Sequence, residues 1–132
     1  MFTNEEKIRM KIAKSTCEPT NCIGTVLYVL GVIDEDSYVG FGENRYSEGI
    51  VDKLLERMIR VDKPQIGAII LISSGYRIEH MGLVVDENPF KIYHRPGLHR
   101  PGSPTRIVEC DSLDSVVTTY LQYPIREYYI RT

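Results

Sequence analysis

Short helical patterns separated by polar breaks make up the first half of the chain. Ile8 and Ile12 recur one turn apart among charged residues, which predicts an amphipathic helix over Asn4–Lys14 with Asn4 as its N-cap. Two later segments repeat apolar residues at helical spacing. We therefore expect further helices at 23–30, ended by Gly31, and at 47–60, N-capped by Ser47, with a long connection at 32–46 between them.

After Pro64 the spacing of the apolar residues changes from helical to extended. The run GAIILI is continuous and rich in branched residues, which predicts a buried strand at 67–72. A later helical pattern, N-capped by Ser112 and ended by Pro124, interrupts a series of strand patterns. The other predicted strands lie at 79–85, 90–94, 105–109 and 125–130. Helices followed by a mostly antiparallel sheet of about five strands predict an α+β architecture.

Composition narrows the class of protein. A chain of 132 residues suits a single domain covering 1–132, because a second domain would have too few residues for its own core. A net charge of −2 lacks the basic footprint of nucleic-acid binders, so we expect no nucleic-acid partner. The sequence has neither an apolar signal-peptide region nor the roughly 20 apolar residues of a membrane span. We therefore expect a cytoplasmic protein without membrane contact, although signal-independent export is compatible with this sequence.

Cys22 is the candidate nucleophile, because it falls at the predicted start of the second helix. The partial positive charge and free N–H groups of a helix N-terminus stabilise a thiolate, which predicts a lowered pKa. The same groups suit the oxyanion of a tetrahedral intermediate. Cys22 also precedes Val26 by one helical turn, so a small buried core residue is the competing interpretation.

A nucleophilic thiolate needs an imidazole, and the chain has three. His80 lies on a predicted strand, where Gly82 leaves a gap in which we expect the end of a helix to approach. His94 ends the next strand, whereas His99 lies in a Pro/Gly loop. His80 and His94 share a face of the hairpin if His94 lies opposite His80 or Gly82. A four-residue loop at 86–89 would instead set a register that turns them to opposite faces.

Three short runs resemble the NlpC-type peptidases, a compact papain-like family of cysteine hydrolases. The resemblance covers about residues 21–94, in the family's unpermuted order, and a strand ending in His94 follows the last run. The runs are Asn21-Cys22-Ile23-Gly24 at the start of a buried helix, Gly67-Ala68-Ile69-Ile70 on a strand, and His80-Met81-Gly82-Leu83-Val84 on the next strand.

The resemblance implies a papain-like fold and cleavage of an amide or peptide bond by a Cys-His-His triad. By position, Cys22 is the nucleophile, His80 the base and His94 the residue that orients the base. The implied partner is a peptide or peptide-like substrate, which for the family is usually the peptide stem of peptidoglycan. No cofactor and no metal are expected for this reaction.

The substrate-binding residues differ from the family's pattern. Asn21 stands where the family has an acidic residue, and we assign it to substrate binding. Arg95 belongs to a basic stretch without acidic residues between 88 and 108, which suggests a rim that recognises a carboxylate. The other departures are Ile23 for Ser, Thr25 for an aromatic residue and Ala68 for Asp. They leave the catalytic residue types intact and leave open which peptide or isopeptide bond is cut.

Two other interpretations fit parts of the sequence. Cys17 and Cys22, like His94 and His99, have the spacing of zinc-ligand pairs, although the two pairs lie far apart in the chain. A zinc site is therefore one alternative. The other is a binding module of the same fold without catalysis, which would use the basic stretch around Arg95.

Overall fold

The computed structural model describes residues 2–16, 20–39, 45–75, 78–96 and 107–132. These residues form four helices and six strands, which confirms the α+β architecture. None of the helices in this part of the chain is long and apolar enough to cross a membrane. The helices are α1 (Asn4–Lys14), α2 (Cys22–Val29), α3 (Arg45–Leu55) and α4 (Leu113–Thr119). The strands are β1 (Met58–Val61), β2 (Ile69–Ser73), β3 (Ile78–Asp86), β4 (Lys91–His94), β5 (Glu109–Ser112) and β6 (Ile125–Arg131).

The six strands form one antiparallel sheet in the order β1-β6-β2-β3-β4-β5. Strands β2 to β5 are neighbours in chain order, whereas β6 returns to lie between β1 and β2. One face of the sheet forms a core with α2, through residues such as Met81 and Leu83. The other face forms a second core with α4, through residues such as Val84 and Ile92. Because successive side chains of a strand alternate, Met81 and Leu83 face α2, whereas His80 and Val84 face α4.

The helix starts follow the capping chemistry of the sequence, with one shift. Thr3, rather than the predicted Asn4, is the N-cap of α1: its hydroxyl accepts from the Glu6 N–H at 3.1 Å, and the Glu6 carboxylate accepts from the Thr3 N–H at 2.8 Å. This reciprocal pair is a capping box. Ser112 is confirmed as the N-cap of α4, with its hydroxyl 3.2 Å from the Ser115 nitrogen.

The predicted helix at 47–60 is wrong at both ends. Helix α3 runs from Arg45 to Leu55, so Ser47 lies inside it, and β1 follows at Met58. Met58 continues the apolar helical spacing, which is why the sequence pattern runs on. The backbone of β1 instead pairs with β6, from Met58 opposite Arg131 to Val61 opposite Tyr128. Tertiary pairing thus overrides the local pattern.

Four of the five predicted strands lie within two residues of their expected limits, as β2, β3, β4 and β6. The fifth, at 105–109, does not. The described part of the predicted strand at 105–109 contributes only its last residue, because β5 covers Glu109–Ser112. Residues 105 and 106 lie outside the described residues.

Candidate active site

The β3–β4 hairpin turns His80 and His94 to the same face of the sheet. Val84 pairs with Ile92, and the ladder continues so that Gly82 lies opposite His94. His80 is then diagonal to His94 and shares its face. The prediction that the two imidazoles can face the same side is confirmed, in its diagonal form.

A β-bulge in β3 is responsible for this register. Asp86 pairs with Lys91, but past the bulge Val84 pairs with Ile92, so one extra residue of β3 is accommodated between them. Continued without the bulge, the Asp86–Lys91 register would turn the two histidines to opposite faces. The register expected from a loop at 86–89 would pair Val85 with Phe90 and was therefore wrong: Asp86 and Lys91 pair next to the loop, and the bulge then sets the register toward the histidines.

The two imidazoles belong to a hydrogen-bonded chain of three side chains. Nε2 of His80 lies 2.7 Å from Nδ1 of His94, and Nε2 of His94 lies 2.7 Å from Oδ2 of Asp111. Asp111 was missed by the sequence analysis, because it lies on β5 and reaches His94 only through the β4–β5 pairing, in which it stands opposite Ile92. The signal was the alternation along β5, which places Asp111 and Glu109 on one face.

Two of these three hydrogen-bonded side chains are shielded from solvent. His80 is fully buried and His94 is 2% exposed, whereas the Asp111 side chain is 35% exposed. The His80 ring stacks on the ring of Tyr120, with centroids 4.1 Å apart and an interplanar angle of 13°. Tyr120 directly follows α4 and belongs to the core on that side of the sheet. The imidazoles are thus held between the sheet and the end of α4.

Gly82 makes room for His94 and not for a helix, which corrects the expected approach. A Cβ on Gly82 would lie 2.6 Å from Cγ2 of Ile92 and 3.2 Å from Cβ of His94. Both of these atoms belong to β4. The gap beside His80 is therefore filled by the neighbouring strand, which explains how the two histidines come within hydrogen-bond distance.

Cys22 begins α2, as predicted, and it is fully buried. Burial raises the pKa of its thiol to about 12, and this effect outweighs the backbone hydrogen bonds of Met81, Ile23 and Cys22 and the charge of Arg95, all of which lower that pKa. The predicted lowering of the pKa is therefore wrong for this form of the protein. The helix N-terminus is present, but the desolvation of the thiol outweighs it.

The thiol and the imidazoles approach β3 from different sides. Cys22 packs in the core on the α2 side together with Met81, whereas His80 stacks on Tyr120 on the α4 side. The hydrogen bonds of the imidazoles described above do not include the Cys22 sulfur. That sulfur does contact the backbone of Met81, the residue that follows His80. The Cys22 thiol and the His80 ring thus lie on opposite sides of the β3 backbone.

Asn21 has a structural place that the substrate assignment did not anticipate. It is fully buried as the N-cap of α2, and its side-chain oxygen accepts from the N–H groups of Gly24 at 2.9 Å and Val39 at 3.2 Å. Its side-chain amide also donates to the carbonyl of Val39. A Cβ on Gly24 would lie 1.8 Å from the carbonyl oxygen of Ser37, so the motif's glycine permits this close approach. Asn21 therefore joins the start of α2 to the 37–39 segment.

Arg95 is buried as well, rather than placed on an exposed rim. Its guanidinium donates to Asp36 at 2.9 Å, to the Ala13 carbonyl at 3.1 Å and to the Thr25 hydroxyl at 2.9 Å. The side chains of Arg95 and Asp36 are 0% and 4% exposed. Asp36, in the predicted connection at 32–46, thus supplies a buried ion-pair partner. Arg95 directly follows His94, and its hydrogen bonds therefore join the end of β4 to α1 and α2.

Of the four residues in the zinc alternative, the structure describes Cys22 and His94. Cys17 and His99 lie outside the described residues. In the described ranges, no group of three or more His, Cys, Asp or Glu side chains is arranged to hold a metal ion. Cys22 and Cys110 are free thiols, the first buried and the second exposed on β5.

Comparison with protein-family models, with curated proteins and with solved structures gives no match for this chain.

Proposed function

We propose that the protein is a cysteine hydrolase of a papain-like, NlpC-type arrangement that cleaves an amide or peptide bond. The observation that carries the proposal is the 2.7 Å hydrogen bond between His80 and His94. A base held in orientation by a second polar side chain is what nucleophilic catalysis by a thiol requires. The place of Cys22 at the start of α2 supports the same proposal, because a helix N-terminus suits a thiolate and an oxyanion.

In the proposed reaction, His80 takes the thiol proton at Nδ1, the ring nitrogen on the far side from His94. The Cys22 thiolate attacks the amide carbonyl, and the Cys22 backbone N–H helps to hold the oxyanion. His80 then donates its proton to the leaving amine, which leaves a thioester on Cys22. Water attacks this thioester, with His80 as the general base, and releases the carboxylic acid.

The burial of Cys22 sets a condition on this reaction. At neutral pH a thiol with a pKa of about 12 is protonated, and a fully buried sulfur does not meet a substrate. The described form is therefore a resting form in this proposal. The sulfur also lies across the β3 backbone from the ring of His80. Substrate binding therefore has to uncover Cys22 and bring the two groups to the same side of β3.

The proposed substrate is a peptide or peptide-like amide, including the peptide stems of peptidoglycan that the family resemblance implies. Arg95 does not contribute to its recognition in the described form, because its guanidinium is committed to Asp36, Thr25 and Ala13. The buried Arg95–Asp36 pair is thus not part of the proposed substrate-binding surface.

A binding module without catalysis is the second candidate, and the state of Cys22 favours it. A fully buried thiol with a raised pKa is the behaviour of a small core residue. In that case the His80–His94–Asp111 chain is a buried polar network that stabilises the sheet. The two candidates differ in whether the reactivity of Cys22 depends on His80.

Site-resolved alkylation with iodoacetamide tests this dependence, and Cys110 serves as an internal control in every sample because it is exposed. With a peptidoglycan stem peptide present to uncover Cys22, the hydrolase predicts that His80→Gln slows alkylation of Cys22 at pH 7 by about tenfold or more and leaves Cys110 unchanged. Equal Cys22 rates in wild type and His80→Gln, measured relative to Cys110, would overturn the proposal. Thermal unfolding of both proteins shows whether His80→Gln retains the fold.

Amine release from peptidoglycan stem peptides then identifies the bond. Wild type is compared with Cys22→Ala, and Cys110→Ala is the matched control because it also removes one thiol. Hydrolysis by wild type and by Cys110→Ala but not by Cys22→Ala is expected.

A further inference from the structure

Asp111 ends the polar chain that begins at the fully buried His80. In the β4–β5 ladder, Glu109 lies opposite His94 and Asp111 lies opposite Ile92, so Asp111 stands diagonal to His94 on the same face. The Asp111 carboxylate reaches Nε2 of His94 at 2.7 Å, and its side chain is 35% exposed. It is thus the one member of this three-residue chain with substantial access to solvent.

We infer that Asp111 is a positioning residue that fixes the tautomers of both imidazoles. An ionised carboxylate only accepts hydrogen bonds, so Nε2 of His94 must carry a proton toward Asp111. A neutral His94 then has a lone pair at Nδ1. The contact between Nδ1 of His94 and Nε2 of His80 is a hydrogen bond only if Nε2 of His80 carries the proton.

While both rings are neutral, one arrangement of protons therefore allows both hydrogen bonds: His80 donates to His94, and His94 donates to Asp111. It leaves the lone pair of His80 on Nδ1, which is a buried atom. A lone pair at Nδ1 is what a general base at this position needs. The catalytic part of the inference rests on the proposed function, whereas the tautomer assignment does not.

Asp111 also gives the chain a direction for charge. When His80 gains a proton at Nδ1, the positive charge spreads along the hydrogen bonds toward the carboxylate of Asp111. A carboxylate stabilises such an imidazolium while it holds the ring in orientation. Asn at this position keeps the size of the side chain, but its amide can donate to Nε2 of His94 and reverse the proton order.

Two-bond proton–nitrogen correlation NMR of the histidine rings tests the assignment without any substrate. In wild type at neutral pH, we expect Nε2–H tautomers for both His80 and His94. In Asp111→Asn, we expect the Nδ1–H tautomer of His94 to appear. Glu109→Gln is the matched control on the same strand and face, and it leaves both tautomers unchanged.

An Nδ1–H tautomer of His94 in neutral wild type, or the same tautomers in wild type and Asp111→Asn, would overturn the inference. The wild-type spectrum alone tests the tautomer assignment, even if Asp111→Asn does not fold. Alkylation of Cys22 in the same variants, with the stem peptide present, separates the two proposals: Asp111→Asn slows it by about tenfold or more if His80 is the base. Altered tautomers with an unchanged Cys22 rate contradict the hydrolase and leave the positioning role of Asp111 standing.

Discussion

Gly82 and His94 face each other across the β3–β4 ladder, with too little space between them for a side chain on Gly82. An added Cβ would lie 3.2 Å from Cβ of His94 and closer still to Ile92. The absence of this carbon lets β4 approach closely enough for the His94 ring to meet His80. Gly82 is therefore required by the site through packing and not through its own backbone conformation.

Gly82→Ala is expected to destabilise the protein by about 1–3 kcal/mol, because the new methyl group overpacks the contact with Ile92 and His94. Denaturant unfolding measures the change. Gly49→Ala is the matched control, since a Cβ there meets nothing within 4 Å and Gly49 lies inside α3. That change should stabilise the protein by about 0.5–1 kcal/mol. Equal stabilities of Gly82→Ala and wild type would contradict the packing argument.

The buried ion pair between Arg95 and Asp36 is expected to be costly to break. Arg95→Met leaves the Asp36 carboxylate buried beside Thr20 and Thr25 without its cation, at a cost of about 3–5 kcal/mol. Guanidinium unfolding measures this loss. The exposed pair of Arg60 and Glu127, 3.0 Å apart, is the control, and Arg60→Met should cost about 1 kcal/mol or less.

A double-mutant cycle completes the test of this pair. If the two charges depend on each other, Arg95→Met combined with Asp36→Asn costs less than the two single changes added together. Strict additivity would mean that the ion pair does not stabilise the fold as a unit.

Asn21→Ala is expected to cost about 2–3 kcal/mol, because it removes the cap of α2 and leaves the backbone of Val39 without its side-chain partners. Ser112→Ala removes a cap at an exposed helix start and should cost about 1 kcal/mol. Thermal unfolding of the two variants provides the comparison. If Asn21→Ala is no worse than Ser112→Ala, the link between α2 and the 37–39 segment does not contribute to stability.

The raised pKa of Cys22 predicts a loss of stability in alkaline solution. The folded protein holds the thiol proton up to a pKa of about 12, whereas the unfolded chain releases it near the ordinary value of 9.0. This contribution is therefore fully present below about pH 9 and is lost as the pH rises toward 12, by about 1.4 kcal/mol per pH unit at the steepest.

Cys22→Ala should show a shallower fall of the unfolding free energy between pH 9 and 11 than wild type. Burial also raises the pKa of Tyr93, which adds an alkaline loss of the same sign to both proteins and so cancels in the comparison. Guanidinium unfolding at a series of pH values measures the two slopes. Parallel slopes would contradict the burial of a protonated thiol.

The histidine pair illustrates what the sequence can and cannot predict. Alternation along β3 and β4 predicts which residues share a face with each histidine, because the period of a strand is two. The relation between the two strands depends on the bulge between Val84 and Asp86, which no local pattern specifies. Asp111 is harder to predict still, since it joins the site through pairing between strands that residues 95–108 separate in the sequence.

Cys22 marks the limit in a different way. The helix N-terminus was predicted from the apolar repeat that follows Cys22, whereas the capping role of Asn21 was not. Whether that N-terminus activates or only buries the thiol depends on how closely α2 packs on Met81, and this is a property of the assembled core. The pKa of the Cys22 thiol is therefore raised and not lowered, although the helix begins where it was predicted.

The insertion of β6 between β1 and β2 has a consequence for the order in which the chain can fold during synthesis. Strands β2 to β5 can pair as they emerge, because each lies beside the strand made before it. Strand β1 is made first of all six but has β6 as its neighbour, so it waits for the last strand. A truncation before Ile125 would leave β1 detached and one side of β2 open, with the apolar edge that promotes aggregation.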